Sequence, residues 1–405
     1  MAASPAPAAT GRRVAIVTPW YPTRETPFQG AFVQAMVEAT APGCDEVTLY
    51  HLNLWHMRAS ARRQRSIAAA HRGLLPHALR RTGTVGGAGL VYLPVPAQAG
   101  TSFAGLARLT EHWLRTALGG PLDTPVVHAH VGYGAGWAAL RAAGPGTRVF
   151  VTEHATFLDR VLAEPDARAM YDELIDRCAG FFTVGDAARA ELVREFPHHA
   201  DRIGVIANPV PFDRVRPRPV TRLHRWLFVG GLIPRKRVDL LVEAFARCRA
   251  EEPALTLTIA GEGESAPGLA RRAAALGVAE AVTFTGAVPP PEALDLMYSH
   301  DLLVHPSRRE TFGMTVVEAL AAGMPVLVTR SGGPEETLAG LEEAAGELID
   351  VRDDPDSIVE GYRRLRDRFP DGVDVVTARR RLAQRYGYQA VARAHHRIWF
   401  ADPTE

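Results

Sequence analysis

"DLLVHPSRRETFGMTVVEALAAGMPVLVT", residues 301–329, sets a helical pattern between two short apolar runs. Residues 301–307 are rich in leucine and valine and stop at a proline, as a buried strand does. "MTVVEALAA" (314–322) has apolar side chains at helical spacing, and Gly323 followed by Pro325 closes that helix and opens the next strand. The pattern is strand, loop, helix, strand, which is the unit of a parallel sheet. Ligands of open α/β sheets sit at the carboxyl ends of strands, so the loop "RRETFG" (308–313) is a candidate binding segment. Glu310 lies in that loop and Glu318 eight positions further on. Free N–H groups of residues 313–315 at the helix start suit a phosphate. A carboxylate at 318 can accept two hydroxyl hydrogen bonds, as from a ribose diol. A plainer reading makes Glu310 a helix-dipole partner and Glu318 a surface residue. The apolar neighbours Val316, Val317, Ala319 and Leu320 leave little polar face for that. On a helix, eight residues correspond to roughly 80° of rotation and about 12 Å of rise, so the two glutamates do not form one acid–base pair.

The same alternation runs through the chain. Strands are expected at 14–20, 46–52, 126–130, 148–154, 180–186 and 203–209, with helices at 29–40, 133–143, 167–178 and 186–195. A second series of strands follows at 226–231, 255–261, 282–288, 301–307, 325–329 and 346–351. This predicts an α/β protein with two doubly wound parallel-sheet domains. The 405-residue length also favours two cores over one. The proline-rich "NPVPFDRVRPRPVTRLHR" (208–225) has no helical period and reads as a stiff linker. The expected layout is a disordered tail at 1–11, a first domain at 12–209, a linker at 210–222 and a second domain at 223–385. A C-terminal helix within 386–405 is expected to pack back toward the first domain.

Net charge is +1, so nothing global argues for nucleic acid. Three dispersed cysteines offer neither a disulfide framework nor zinc spacing and fit a reducing cytoplasm. No apolar run approaches the roughly 18 residues of a membrane span. Residues 57–83 hold seven arginines and no acid. They read as a solvated segment, an anionic-acceptor site or a peripheral membrane contact.

Other strand ends carry polar or glycine signals. "FVGGLIPRKR" (228–237) delivers Arg235 and Lys236 after Gly230 and Gly231, just before a helix, which suits a diphosphate. "AGEGE" (260–264) and "TGAVP" (285–289) are weaker, since glycine often marks only a turn. Gly30 precedes a helix in the first half, and Glu153 and His154 end a strand there. His128 and His130 share a strand face but lack a third ligand with metal spacing. The acidic "RDDPDS" (352–357) reads as a helix cap.

The quoted stretches "GLIPRKRVDLLVEAF", "AGEGE", "TGAVP" and "HPSRRETFGMTVVEALAAGMPVLVT" resemble the retaining nucleotide-sugar glycosyltransferases of family 4. The spacing of Glu310 and Glu318 matches that family's signature. The resemblance runs over residues 12–400 and is tighter in the second half. It implies the GT-B fold, two Rossmann-like domains facing a central cleft. It implies that Glu310 binds hydroxyls of the donor sugar and Glu318 the ribose. Phe312, Gly313 and Met314 would offer backbone N–H groups, with Thr315 beside the phosphate. Arg235 and Lys236 would neutralise the leaving diphosphate in place of a metal, with no cofactor. Gly231 would also line the donor site, and the base would lie near Gly286 and Val288. Gly30 would lie in a first-domain loop closing on the donor, and His154 matches the family's cleft histidine. The family's usual Asn-Gly ahead of the linker is here Asn208-Pro209.

The implied partners are a nucleoside diphosphate sugar, UDP-linked by analogy, and an alcohol acceptor. A small soluble acceptor such as an aminocyclitol or polyol of natural-product biosynthesis is favoured. Alternatives are a cell-envelope or lipid-linked acceptor, a GT-B epimerase or phosphorylase, and a degenerate sugar-nucleotide binding protein.

Overall fold

The computed structural model describes residues 11–23, 26–57, 83–214 and 216–401. The expected tail and most of the arginine-rich segment, residues 1–10 and 58–82, lie outside them. The chain divides into two compact units. The first comprises the chain up to Tyr21, Phe32–Ile206 and the residues from Val391 onward. The second comprises Pro22–Ala31 and Ala207–Ala390. Gly30 therefore groups with the second unit, whereas the sequence reading put its loop in the first. A loop rich in turn residues carries no core pattern to reveal which sheet it joins.

The first unit is built on an eight-stranded sheet. Its strands are β1 (Arg13–Thr18), β2 (Glu46–Met57), β3 (Gly83–Val85), β4 (Ala88–Gln98), β5 (Val126–His130), β6 (Arg148–Glu153), β7 (Gly180–Thr183) and β8 (Ile203–Val205). The order is β3-β4-β2-β1-β5-β6-β7-β8, parallel except for β3. The six strands read from the sequence in this half are present; β2 runs five residues further than read, β5 matches, and the other four end earlier. The sequence reading missed β3 and β4 because Pro94 and Pro96 argue against a central strand. The structure resolves the conflict: β3 covers only Ala88–Leu90, so beyond it β4 pairs with β2 alone among the described residues. Helix Phe103–Leu118 was also unanticipated, although its signals are local. Ser102 accepts a hydrogen bond from the Gly105 N–H, and Gly119 closes the helix in the left-handed region.

The C-terminal helix Tyr388–Phe400 supplies the fully buried Trp399, which packs with Val14, Ile16, Val126 and Phe150. Its indole Nε1–H donates to His128 Nδ1 at 2.9 Å. The second nitrogen of His128 must then carry the proton, and it lies 2.7 Å from Thr152 Oγ1. Both nitrogens are thus committed, which removes the His128–His130 pair as a metal site.

The second unit holds β9 (Arg225–Val229), β10 (Thr256–Ala260), β11 (Val282–Gly286), β12 (Leu302–His305), β13 (Val326–Thr329) and β14 (Gly346–Ile349). Their order is β11-β10-β9-β12-β13-β14, all parallel. The direction of winding reverses between β9 and β12, which makes that junction the switch point where ligands of doubly wound sheets bind. The loops after β9, β10 and β11 are stitched together there. Leu232 N–H donates to Glu262 O at 2.7 Å, and Gly261 N–H to Gly286 O at 2.8 Å. A Cβ on Gly261 would come within 1.9 Å of Gly230 O, so only glycine allows this approach. The acidic run 352–357 is consumed locally: Asp354 accepts from the Asp356 N–H at 2.9 Å, and Asp353 pairs with Arg308.

Trp399→Ala should destabilise the first unit by about 3–5 kcal/mol, through lost packing and an unpaired His128. Urea unfolding followed by circular dichroism checks this. A loss under about 1 kcal/mol would mean that the helix only decorates the unit.

Candidate functional site

Four side chains of the second unit meet at the switch point. The loop after β9 forms a 3-10 turn, Pro234–Lys236, that presents Arg235 and Lys236. The loop after β12 presents Glu310, and the end of β12 presents His305. Lys236 Nζ lies 2.6 Å, His305 Nε2 3.0 Å and Arg235 Nη1 3.4 Å from the same oxygen, Glu310 Oε1. Backbone bonds lock the Glu310 loop in register. Its N–H donates to Ser331 O at 2.8 Å, and its carbonyl accepts from Gly333 N–H at 2.9 Å.

Electrostatics follow from this geometry. Burial alone would raise the Glu310 carboxyl, but Lys236, His305 and Arg235 outweigh it and hold the group well below the usual range. Burial lowers the Lys236 ammonium, with Glu310 opposing. Burial and the adjacent Lys236 likewise lower His305, so this histidine is neutral. Two cations face one carboxylate, which leaves one positive charge uncompensated beside a helix start. That is a receptive setting for an anion. The sequence reading did not single out His305. Its signal was there: a histidine ends the same strand whose loop carries Glu310, and it stacks on Phe228 with ring planes 8° apart.

Helix Met314–Ala321 begins after Gly313, which sits at φ +82°. Val316 and Val317 N–H both return to Gly313 O, so the N–H groups ahead of them have no intrahelical acceptor. Phe312 is buried edge-on against Tyr386 and anchors the turn. Met314 and Thr315 are half-buried in the first turn. Glu310 lies four positions ahead of the helix, so the helical rotation expected between it and Glu318 does not apply. Glu318 retains some exposure but has no side-chain hydrogen bond among the described residues, and burial pushes its carboxyl up to about 7. A desolvated, unpartnered carboxylate is an acceptor without a donor. Gly231, Gly286 and Val288 lie at the ends of β9 and β11, all partly exposed.

In the first unit, Glu153 ends β6 and is fully engaged. Its Oε1 accepts from the N–H groups of His154 and Ala155 at 2.8 and 2.7 Å. Its Oε2 accepts from Gly132 N–H at 2.9 Å and from the Tyr171 hydroxyl. It is a structural clamp that fixes the turn carrying His154. His154 Nε2 lies 2.8 Å from His130 Nδ1, and Phe32 stacks on its ring at 4.2 Å. Burial pushes the imidazole down to about 3, so it stays neutral. His128 and His130 share the strand face that period two puts them on, their rings stacked at 5.0 Å, and His130 also reaches His154 across the β5–β6 ladder.

Two family models match the chain in tandem, Glycosyltransferase Family 4 over residues 66–214 and Glycosyl transferases group 1 over 213–368. The chain belongs to the GT-B glycosyltransferases. Among curated relatives of this glycosyltransferase, a D-inositol 3-phosphate glycosyltransferase of Streptomyces scabiei is 31% identical over 61% of the chain and 57% of the relative. A glycogen synthase of Mycobacterium tuberculosis is 33% identical over 49% of the chain and 47% of the relative. The chain thus spans about half the length of the curated relatives it matches. Among solved structures, sucrose-phosphate synthase of Thermosynechococcus elongatus superposes with a TM-score of 0.73 at 16% identity, covering 96% of this chain and 98% of that one. Anabaena HepE in complex with UDP and glucose gives 0.71 at 16% identity, covering 97% and 100%. These likenesses speak to the fold. No helix among the described residues is long and apolar enough to cross a membrane.

The Glu318 carboxyl yields a stability prediction. Its folded value is raised above 4.5 to about 7, so the folded chain holds that proton more tightly than the unfolded chain. Stability is then lost as pH rises from 4.5 through about 7. Glu318→Gln should leave stability unchanged at about pH 4 and raise it by about 2 kcal/mol at about pH 8, as thermal melts at both values would read. Equal shifts at both pH values would contradict the assignment.

Proposed function

We propose that this glycosyltransferase moves a hexosyl unit from a UDP-linked sugar to a hydroxyl of a small polyol or aminocyclitol, as in natural-product biosynthesis, with retention at the anomeric carbon. The observation that carries this reading is the Arg235–Lys236–Glu310 cluster at the switch point, beside an uncapped helix start. A diphosphate presents paired negative charge, which is what two adjacent cations and free N–H groups accept best. Lys236 Nζ lies 2.6 Å from Glu310 Oε1. A bound diphosphate offers Lys236 and Arg235 a stronger partner and frees Glu310 Oε1 to accept sugar hydroxyls.

The remaining roles follow the same logic. The N–H groups of Phe312, Gly313 and Met314 and the hydroxyl of Thr315 meet the sugar and diphosphate. Glu318 accepts the ribose hydroxyls, and the base lies near Gly286 and Val288, with Gly231 beneath the donor. Gly30 and His154 complete the assignment, the latter as a neutral hydrogen-bonding group. In the reaction the acceptor oxygen bonds to the anomeric carbon while the bond from that carbon to the diphosphate oxygen breaks. The acceptor proton passes to the departing phosphate oxygen. Arg235, Lys236 and the helix N–H groups stabilise the charge that develops there, so no separate acid or metal is required. A polyol acceptor is supported by the relatives named for D-inositol 3-phosphate.

Lys236→Ala and Glu310→Gln should each lower kcat by about 100-fold or more with circular dichroism unchanged. Wild-type rates in both would sink the site assignment. The anomeric proton coupling of the product, read by NMR, should match that of the donor sugar, and an inverted product would contradict the mechanism. Turnover should survive EDTA; loss that magnesium restores would show that a metal shares the diphosphate.

A further inference from the structure

A second cluster of ligating atoms lies in the first unit, away from the end of the sheet that carries His154. Helix Pro165–Arg177 presents Asp172, and the 3-10 turn Pro197–Arg202 presents His198 and His199. Both imidazoles aim Nε2 at one carboxylate oxygen: Asp172 Oδ1 lies 2.6 Å from His198 and 3.1 Å from His199. The two rings are 4.2 Å apart and 46° inclined, so the nitrogens converge from different directions. His199 is buried, whereas Asp172 and His198 are exposed. One imidazole is therefore held in place and the other two groups are open to solvent. Among the described residues this is the one set of three such groups whose ligand atoms all lie within 4.8 Å of one another.

We propose that Asp172, His198 and His199 bind one first-row transition-metal dication of the zinc class. Imidazole nitrogen suits zinc, copper and nickel, whereas magnesium and calcium prefer oxygen sets. Tetrahedral bonds of about 2.0–2.1 Å put neighbouring ligand atoms roughly 3.3 Å apart. The two Asp172–imidazole separations of 2.6 and 3.1 Å therefore open by less than about 1 Å, and the two nitrogens, within 4.8 Å of each other, close by at most about 1.5 Å, which the exposed side chains of Asp172 and His198 allow. Binding takes the lone pair of each Nε2, so the proton of each neutral ring moves to its Nδ1, and water fills the remaining position. The arginines on the same two elements do not compete for the site. Arg168 pairs with Glu195, Arg177 pairs with Glu173, and Arg202 donates to the carbonyls of Ile175 and Cys178. The bound ion would staple the helix to the turn directly ahead of β8, the edge strand of the sheet. Its role is structural, and it stands independently of the proposed reaction.

Equilibrium dialysis of the full chain, stripped by chelator and then exposed to Zn²⁺, tests this with the metal counted by mass spectrometry. One zinc per chain is expected, with a Tm rise of a few degrees and with Co²⁺ giving visible ligand-field absorption. His198→Ala alters an exposed side chain and should keep the fold while weakening zinc by at least about 10-fold, the cost of disturbing even an outer-shell partner. Asp172→Asn should act in the same direction. Substoichiometric uptake, or zinc binding unchanged in His198→Ala, would overturn the proposal. Transferase turnover should not follow zinc occupancy; dependence on zinc that survives His198→Ala would place the metal elsewhere.

Discussion

The buried ion cluster on Glu310 is the constraint around which the second unit is arranged. On either side of the β9/β12 reversal, the β9 loop brings the charges of Arg235 and Lys236, and β12 with its loop brings neutral His305 and the Glu310 oxygen on which all three converge. Desolvating such a set is costly, and it persists only where every member is paired. The backbone explains how it is held. The Glu310 loop is pinned on both sides by Ser331 and Gly333, and the Arg235–Lys236 turn is fixed by the glycine-mediated contact with the next loop. The net result is a prepositioned positive site beside a helix start, with the helix itself too apolar to move easily.

The first unit uses burial differently. Its polar interior is a run of neutral histidines rather than an ion cluster. Trp399 fixes His128, His128 meets Thr152, and His130 holds His154. Burial keeps His128, His130, His154 and His395 below their ordinary value, so none carries charge near neutrality. The second unit thus holds charge at the carboxyl end of its sheet, whereas the first buries neutral imidazoles.

Much of this was legible in the sequence, for identifiable reasons. Twelve strands announced themselves because buried parallel strands are continuous apolar runs, and the glycine and proline punctuation bounded them. Glu310, Arg235 and Lys236 could be picked out because each sits in a short loop at a strand end. What escaped were features set by tertiary pairing. Pro94 and Pro96 concealed β4, because they lie beyond the short stretch that β3 covers. His305 looked like part of a strand, and its link to Glu310 depends on how the loop folds back. The stacking of His130 on His128 was legible from period two, but its hydrogen-bonding partner His154 was not, because period two identifies the face and not the neighbour across the ladder. Gly30 was allotted to the first domain but groups with the second unit, since loop composition carries no core pattern to tell the two apart.

The central claim is that Arg235 and Lys236 grip a diphosphate rather than merely neutralise Glu310. Calorimetric titration of wild type and Lys236→Met with UDP and with uridine separates these directly. The account predicts that the substitution weakens UDP by about 10- to 100-fold, the worth of one buried charge-assisted contact, and leaves uridine unchanged. Equal UDP affinity in the two proteins, or a parallel loss for uridine, would contradict it.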